Sequence, residues 1–341
     1  MIVRARAPLR LGLAGGGTDV SPYSERFGGH VLNVTIDKYA YATIESRNDA
    51  QISFLAADNR DAWIGKVTER LEPLKGLELH AGVYNRIVRD HNHGVPLAIT
   101  LTTHSEAPPG SGLGSSSAMV VALVQAFCEY LNLPLGEYDI ARLAFVIERE
   151  DLKFAGGKQD QYAAAFGGLN FMEFSADKVI VNPLRLKESV KAELEASLVL
   201  YYTGLSRDSA TIIEAQSAGI TENRADALDA MHRIKEEASL MKEAILRGDL
   251  AALSRSMQKG WAAKKNTSAV ISNSAIDAVY EAAIKAGALS GKLSGAGGGG
   301  FIMFLVDPTM RPEVMRELTR FGGSVSTCQF TNLGAQSWRR P

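Results

Sequence analysis

Pro109-Gly110-Ser111-Gly112-Leu113-Gly114-Ser115-Ser116-Ser117-Ala118 is the stretch on which the reading of this 341-residue chain turns. Glycines at 110, 112 and 114 allow a tight loop whose backbone N–H groups turn inward. The serines add hydroxyl donors. A helix expected to begin near Ser116, carrying Ala118, Val121, Ala122 and Gln125, aims its positive end into the same space. A nest of this kind holds anionic oxygens, and Ser117 is placed to put its hydroxyl on a magnesium ion. A turn that merely capped a helix would need one serine, where this one has three in a row. The stretch lacks the terminal Gly-Lys-Ser/Thr of a Walker A loop. No acidic residue follows a second strand where a dinucleotide fingerprint requires one.

Upstream, Leu97 to Thr102 reads as a short strand running into the Pro108-Pro109-Gly110 turn. Met1 to Leu13 and Val31 to Ile44 have the β-branched and aromatic content of strands. Between them lies Ala14-Gly15-Gly16-Gly17-Thr18-Asp19, which no strand interior tolerates. Downstream, Ile140, Leu143, Ala144 and Ile147 make the apolar stripe of a helix. It ends as Glu148-Arg149-Glu150-Asp151 approaches the Gly156-Gly157 break, leaving acidic side chains beside a loop.

Ser197 to Thr203 is a strand, after which longer helices take over, at Leu228 to Ile245 and again at Ile276 to Ala283. A second glycine cluster, Gly291-Lys292-Leu293-Ser294-Gly295-Ala296-Gly297-Gly298-Gly299-Gly300-Phe301, precedes a buried strand, Phe301 to Val306. So long a glycine run implies that the backbone approaches something closely. Val325 to Phe330 reads as the last strand. The class is α+β in two domains, with the boundary near Ser189 to Glu195 and the parts taken as 1–190 and 191–341.

A content of 46% hydrophobic and 22% charged residues is ordinary for a globular enzyme, and a net charge of −1 supplies no general pull toward nucleic acid or an anionic membrane. Neither is expected as a partner. Cys128 and Cys328 lack zinc-site spacing and read as buried or inert. No charged and apolar leader opens the sequence, and no run reaches spanning length, so a cytoplasmic protein is expected.

Three ordered stretches, Pro8-Leu9-Arg10 to Thr18-Asp19, Pro109 to Ala118 and Lys292 to Phe301, resemble the motifs of the GHMP kinases, the superfamily of galactokinase, homoserine kinase and mevalonate kinase. The resemblance implies a ribosomal S5-like N-terminal domain, a ferredoxin-like C-terminal domain and an active site between them that uses ATP and Mg2+. It implies nucleotide binding by Pro109, Gly110, Ser111, Gly112, Leu113, Gly114, Ser115, Ser116 and Ser117. It makes Asp160, in Gly157-Lys158-Gln159-Asp160-Gln161, the residue that accepts or orients the hydroxyl proton. Arg10 stands where galactokinase-like members carry an arginine that stabilises the transferring phosphoryl. The implied magnesium ligands are Ser117 and Glu148, twelve positions before Asp160, with Glu150 as the fallback. Asp19, nine residues after Arg10, would meet sugar hydroxyls alongside Gly16, Gly17 and Thr18. Gly16-Gly17 replaces the Glu-His pair of galactokinase, which weighs against galactose.

Within that superfamily, Arg6 to Asp19, Ile147-Glu148-Arg149-Glu150, Gly157 to Tyr162 and Trp261-Ala262-Ala263-Lys264-Lys265 are most similar to bacterial D-glycero-D-manno-heptose 7-phosphate kinases. Those enzymes phosphorylate the anomeric hydroxyl, giving the 1,7-bisphosphate on the route to GDP-heptose for capsule or surface polysaccharide. A substrate that already carries a phosphate implies a second anion site. Arg207, Lys158 and the Lys264-Lys265 pair are its candidates, with only one of the adjacent lysines able to face the pocket. Gly297 and Gly298 are placed with the substrate-binding residues. Another sugar 1-kinase acting on a free hexose or deoxysugar, or a catalytically silent sugar sensor, stays open, as does a homo-oligomer.

Overall fold

The computed structural model describes residues 1–204 and 209–340; the side chain of residue 209 is not described. The first part contains β1 (Ile2–Ala14), α1 (Tyr23–Phe27), β2 (Gly29–Ser46), β3 (Gln51–Ala56), β4 (Asp61–Lys66), α2 (Glu78–His91), β5 (Ile99–Ser105), α3 (Ser115–Leu131) and α4 (Glu137–Phe145). A π-helical turn (Val146–Asp151), α5 (Gln159–Phe166), β6 (Leu169–Phe174), β7 (Val179–Pro183) and α6 (Glu188–Ser197) complete it. The second part contains β8 (Leu198–Tyr202), α7 (Ser209–Thr221), α8 (Ala225–Arg247), α9 (Leu250–Lys265), α10 (Ser274–Lys285), β9 (Ala288–Leu293), β10 (Phe301–Val306), α11 (Arg311–Thr319), β11 (Ser324–Ser326) and β12 (Gln336–Arg339).

The larger sheet runs β12-β1-β2-β5-β3-β4, with β6 and β7 added along the far half of β2. All its pairings are antiparallel except β3 with β5. β2 is eighteen residues long, enough to pair with β5 near one end and with β6 near the other. Its inner face and those of β1 and β5 bury Val3, Leu9, Leu11, Ile36, Ile44 and Leu101 against α3, which is apolar almost all round and correspondingly buried. The smaller sheet, β11-β8-β10-β9, is antiparallel throughout and buries Val199, Ile302, Phe304 and Val306 against α10 and α11. A third apolar group, Tyr23, Ile220, Met231, Ile234 and Ala263, ties α1 to α7, α8 and α9.

Two expectations shift. Val325 to Phe330 is not one strand: β11 stops at Ser326, and the chain then crosses to β2, where Phe330 makes an isolated bridge with Ile36. The final strand is β12, which leaves the second part and pairs with the edge of β1, register Val3 to Arg339. The helix expected over Ile140 to Ile147 leaves α-geometry at Val146 and ends as the π-turn. Cys128 and Cys328 are buried free thiols, and burial pushes both up to about 12, which keeps them protonated and inert. Among the described residues no helix is long and apolar enough to cross a membrane.

Candidate active site

A cavity of about 640 Å³ opens where the two glycine clusters meet, and β1, the π-turn and the amino ends of α3 and α5 converge on it. Its closure depends on the absence of side chains. Gly110, Gly112 and Gly114 all have positive φ, and a Cβ at Gly112 would lie 2.3 Å from the Ser294 carbonyl oxygen. Phe301 N–H donates to the Ser111 carbonyl (2.8 Å), and Ser294 Oγ donates to the Gly112 carbonyl (2.9 Å). The second glycine cluster therefore packs backbone on backbone against the first. Gly297 and Gly298 face Ile271 and are not among the cavity-lining residues.

At the floor, Arg10 meets Asp160. The strand register slips between Pro8 and Arg10, a bulge of the kind that re-aims side chains beside sites. Arg10 Nε donates to Asp160 Oδ1 at 2.8 Å, Nη2 lies 2.7 Å from the same oxygen, and Nη1 donates to the Gly112 carbonyl at 2.6 Å. Asp160 sits in the first turn of α5, and its carboxyl carbon lies 3.2 Å from where a Cβ on Gly114 would be. Asp160, expected to be the catalytic aspartate, Arg10 and the first glycine-rich loop are thus in one contact group.

One end of the cavity is built by the start of α3 and the π-turn. Glu148 is 1% exposed; its Oε1 accepts from Ser116 Oγ (2.8 Å) and its Oε2 from Gln161 Nε2 (2.6 Å). Gln161 also donates to Ser117 Oγ at 3.1 Å, so the two expected metal ligands are linked through one amide. The π-turn, a geometry common at functional sites, carries Glu148 inward while Glu150 stays exposed and off the cavity lining. Of the loop residues, Pro109, Gly110, Gly112, Gly114, Ser115, Ser116 and Ser117 line the cavity, whereas Ser111 and Leu113 are buried behind it. A buried carboxylate and a hydroxyl beside a glycine-rich loop are hard oxygen donors of the kind that would fit Mg2+.

The other end is built from residues far apart in sequence. Asp19 is buried and accepts from the N–H groups of Gly17 and Gln159 (both 3.1 Å) and from Gln159 Nε2 (3.0 Å). Burial raises its carboxyl, which those backbone bonds oppose and nearby Asp160 reinforces. A Cβ on Gly157 would fall 1.9 Å from Asp19 Oδ2, so the glycine break exists to admit this carboxylate. Lys264 Nζ donates to the Gly295 carbonyl at 2.6 Å; burial lowers its ammonium to about 8, with Asp19 pulling the other way. Lys292 Nζ donates to the Gly12 carbonyl and is lowered well below the usual lysine value, by burial first and then by Lys264 and Arg10.

Gly16 and Gly17 line this end, while Thr18 is buried under the loop, its hydroxyl donating to the Gly15 carbonyl (2.8 Å). Lys158 does not reach the cavity and pairs with Glu25 at 3.2 Å. Lys265 turns away toward Asp277 (3.5 Å), leaving Lys264 as the member of the pair that faces inward. Arg207 lies outside the described residues. Lys292, Gln159, Gln161 and Arg149 carry no assigned role in the sequence reading. The signal for Lys292 is a lysine in β9, a strand with five of six residues buried, where lysine is rare unless held.

The sequence matches the family described as GHMP kinases N terminal domain over residues 78–168 and GHMP kinases C terminal over 241–324. It is 47% identical, over 99% of both chains, to D-glycero-alpha-D-manno-heptose 7-phosphate kinase of Campylobacter jejuni. It is 27% identical to L-fucokinase/L-fucose-1-P guanylyltransferase of Bacteroides fragilis, over 93% of this chain and 36% of that longer protein. A crystal structure described as a D-glycero-D-manno-heptose 1-phosphate kinase from Bacteroides thetaiotaomicron superposes with a TM-score of 0.85 at 45% identity, covering 99% of each chain. Two facing glycine loops, an arginine–aspartate pair between them and this degree of likeness over the whole length place the chain in the GHMP kinase family.

Proposed function

We propose that this kinase transfers the γ-phosphoryl group of ATP to the anomeric hydroxyl of D-glycero-D-manno-heptose 7-phosphate. The observation that carries the reaction type is the Arg10–Asp160 pair, at 2.7 to 2.8 Å, set between the phosphate nest and the loop 14–19. The observation that carries the substrate is the full-length likeness to the Campylobacter enzyme. Asp160 receives or orients the proton of the attacking hydroxyl, and the Arg10 fork stabilises charge on the phosphoryl in transit. The backbone N–H groups of Gly110, Gly112 and Gly114 and the amino end of α3 hold the remaining phosphate oxygens.

Ser117 and Glu148 would hold Mg2+, which supplies charge neutralisation at the phosphates when bound. Asp19, fixed by Gln159 and Gly17, takes sugar hydroxyls, and Lys264 takes the phosphate already on the sugar. In this reading residues 1–190 carry the nucleotide and transfer groups, residues 191–341 bring Lys264 and Lys292 to the acceptor end, and the enzyme works in the cytoplasm.

The test is magnesium-dependent ADP release with a panel of acceptors: the heptose 7-phosphate, mannose 6-phosphate, free mannose, fucose, galactose and mevalonate. The heptose phosphate is expected to exceed every unphosphorylated sugar by well over about tenfold in kcat/KM, the weight of one charge-assisted contact. A free sugar winning would retain the kinase and discard the heptose. Sugar binding without any turnover would leave a sensor.

A further inference from the structure

Arg149 follows Glu148 on the π-turn and lines the cavity with only 13% of its side chain exposed, yet the chemistry above gives it no part. Its guanidinium has four oxygen neighbours, all at the outer edge of bonding range. Nε lies 3.3 Å from the Gly157 carbonyl, Nη1 lies 3.4 Å from the Phe154 carbonyl and 3.6 Å from Glu148 Oε1, and Nη2 lies 3.5 Å from Ser117 Oγ. An arginine whose role is to brace a fold takes short, forked bonds. Arg86 of α2 does this to the same turn, gripping its Asp151 at 2.6 and 2.8 Å, so the turn is already tethered.

The backbone has also been cleared for Arg149. A Cβ on Gly156 would lie 2.4 Å from its Cζ and Nη2. A cationic fork, always charged, is therefore kept loosely held beside Ser117 and Glu148. Carbonyl bonds this long are easily exchanged for charged acceptors.

We propose that Arg149 is a second phosphate-contacting arginine, whose guanidinium gives up these weak contacts to grip the terminal phosphate oxygens of the nucleotide beside Ser117. The proposal rests on the kinase reading. It differs from a positioning role in requiring contact with the nucleotide itself.

The experiment is calorimetric titration of ATP and of ADP, with magnesium and without acceptor, into the wild-type protein, Arg149→Lys, Arg149→Gln, Gly156→Ala and the Gln/Ala double variant. Gly156→Ala displaces the guanidinium while keeping its charge. The expected result is ATP affinity weakened about tenfold or more in Arg149→Gln, the weight of one charged hydrogen bond. ADP should weaken less, Arg149→Lys should fall between, Gly156→Ala should move in the same direction, and the double variant should bind no worse than Arg149→Gln alone. ATP affinity within twofold of wild type in both Arg149→Gln and Gly156→Ala would overturn the proposal, as would equal losses for ATP and ADP. A wild-type protein that binds neither nucleotide would overturn the kinase reading along with it, whereas wild-type binding with indifferent variants removes only Arg149.

Discussion

The two ends of the cleft are made by opposite means. The phosphate end is local: residues 109–117 form one loop and the start of α3, and Glu148 and Gln161 close it by hydrogen bonds of 2.6 to 3.1 Å. Its polarity comes from the loop backbone, hydroxyls, one buried carboxylate and the guanidinium of Arg149. The acceptor end assembles Arg10, Asp19, Gln159, Lys264 and Lys292 from β1, the loop after it, α5, α9 and β9. Its polarity comes from ionisable groups taken out of water, Arg10, Asp19, Lys264 and Lys292, with the half-buried Asp160 beside them. A nest made mainly of backbone and hydroxyl dipoles, with one carboxylate and one guanidinium beside it, is inexpensive to preorganise and suits a polyphosphate. A buried charge cluster costs more and is correspondingly selective, because an acceptor that fails to satisfy it leaves charges unpaired.

That contrast is most sharply broken at the residue standing between the ends. Asp160→Asn should lower turnover by about 10² to 10⁴, the usual worth of a positioned base, while calorimetric ADP binding stays near wild type. Turnover retained in that variant would remove Asp160 from the chemistry and leave the Arg10–Asp160 pair a structural contact. The next largest effect separates the ends. Gly157→Ala forces a Cβ into the place of Asp19 Oδ2, 1.9 Å away, so the carboxylate must leave its three N–H donors. Acceptor KM should rise about tenfold or more, by the loss of a well-held charged group, with ATP KM little changed. Equal rises in both constants would mean that the two ends are one cooperative unit.

The same contrast explains what could be read from the sequence. The phosphate end was legible because loop, helix start and hydroxyls are contiguous, so Pro109 to Ala118 states its own chemistry; β1 and β2 were legible by their β-branched and aromatic content, α8 and α10 by their periodicity, and β10 as an apolar run after the glycines. The acceptor end was legible only where a motif marked it, at Arg10, Asp19 and Asp160. Lys264 could be reduced to one of a pair by helix geometry, but nothing local distinguished Lys158, which turns to Glu25. Lys292 was hidden inside a stretch whose glycines drew attention to backbone approach. The approach was real, but it joins Gly295 and Gly300 to the loop 110–112 and leaves Gly297 and Gly298 against Ile271. The π-turn at Val146–Asp151 has no sequence mark, since it preserves the apolar stripe and changes only the direction in which Glu148 and Arg149 point.

The smallest expected effect tests whether burial at the acceptor end matters at working pH. Lys264 holds its proton only up to about 8, because desolvation outweighs the attraction of Asp19. Below that pH the ammonium is charged and can hold a phosphate on the sugar; above it the amine is neutral and the attraction is lost. The kcat/KM for a phosphorylated acceptor should therefore fall as pH rises through about 8, reaching half its plateau there, since this ratio reports the free enzyme. The limb should be absent in Lys264→Met, whose lower plateau should be flat across that range. It should also be absent for ATP binding measured without acceptor, because no part of the phosphate end titrates through Lys264. A limb that persists in Lys264→Met would assign the titration to another group and return the sugar phosphate to an unidentified partner, while a limb shared by nucleotide and acceptor would join the two ends through the charges they both face.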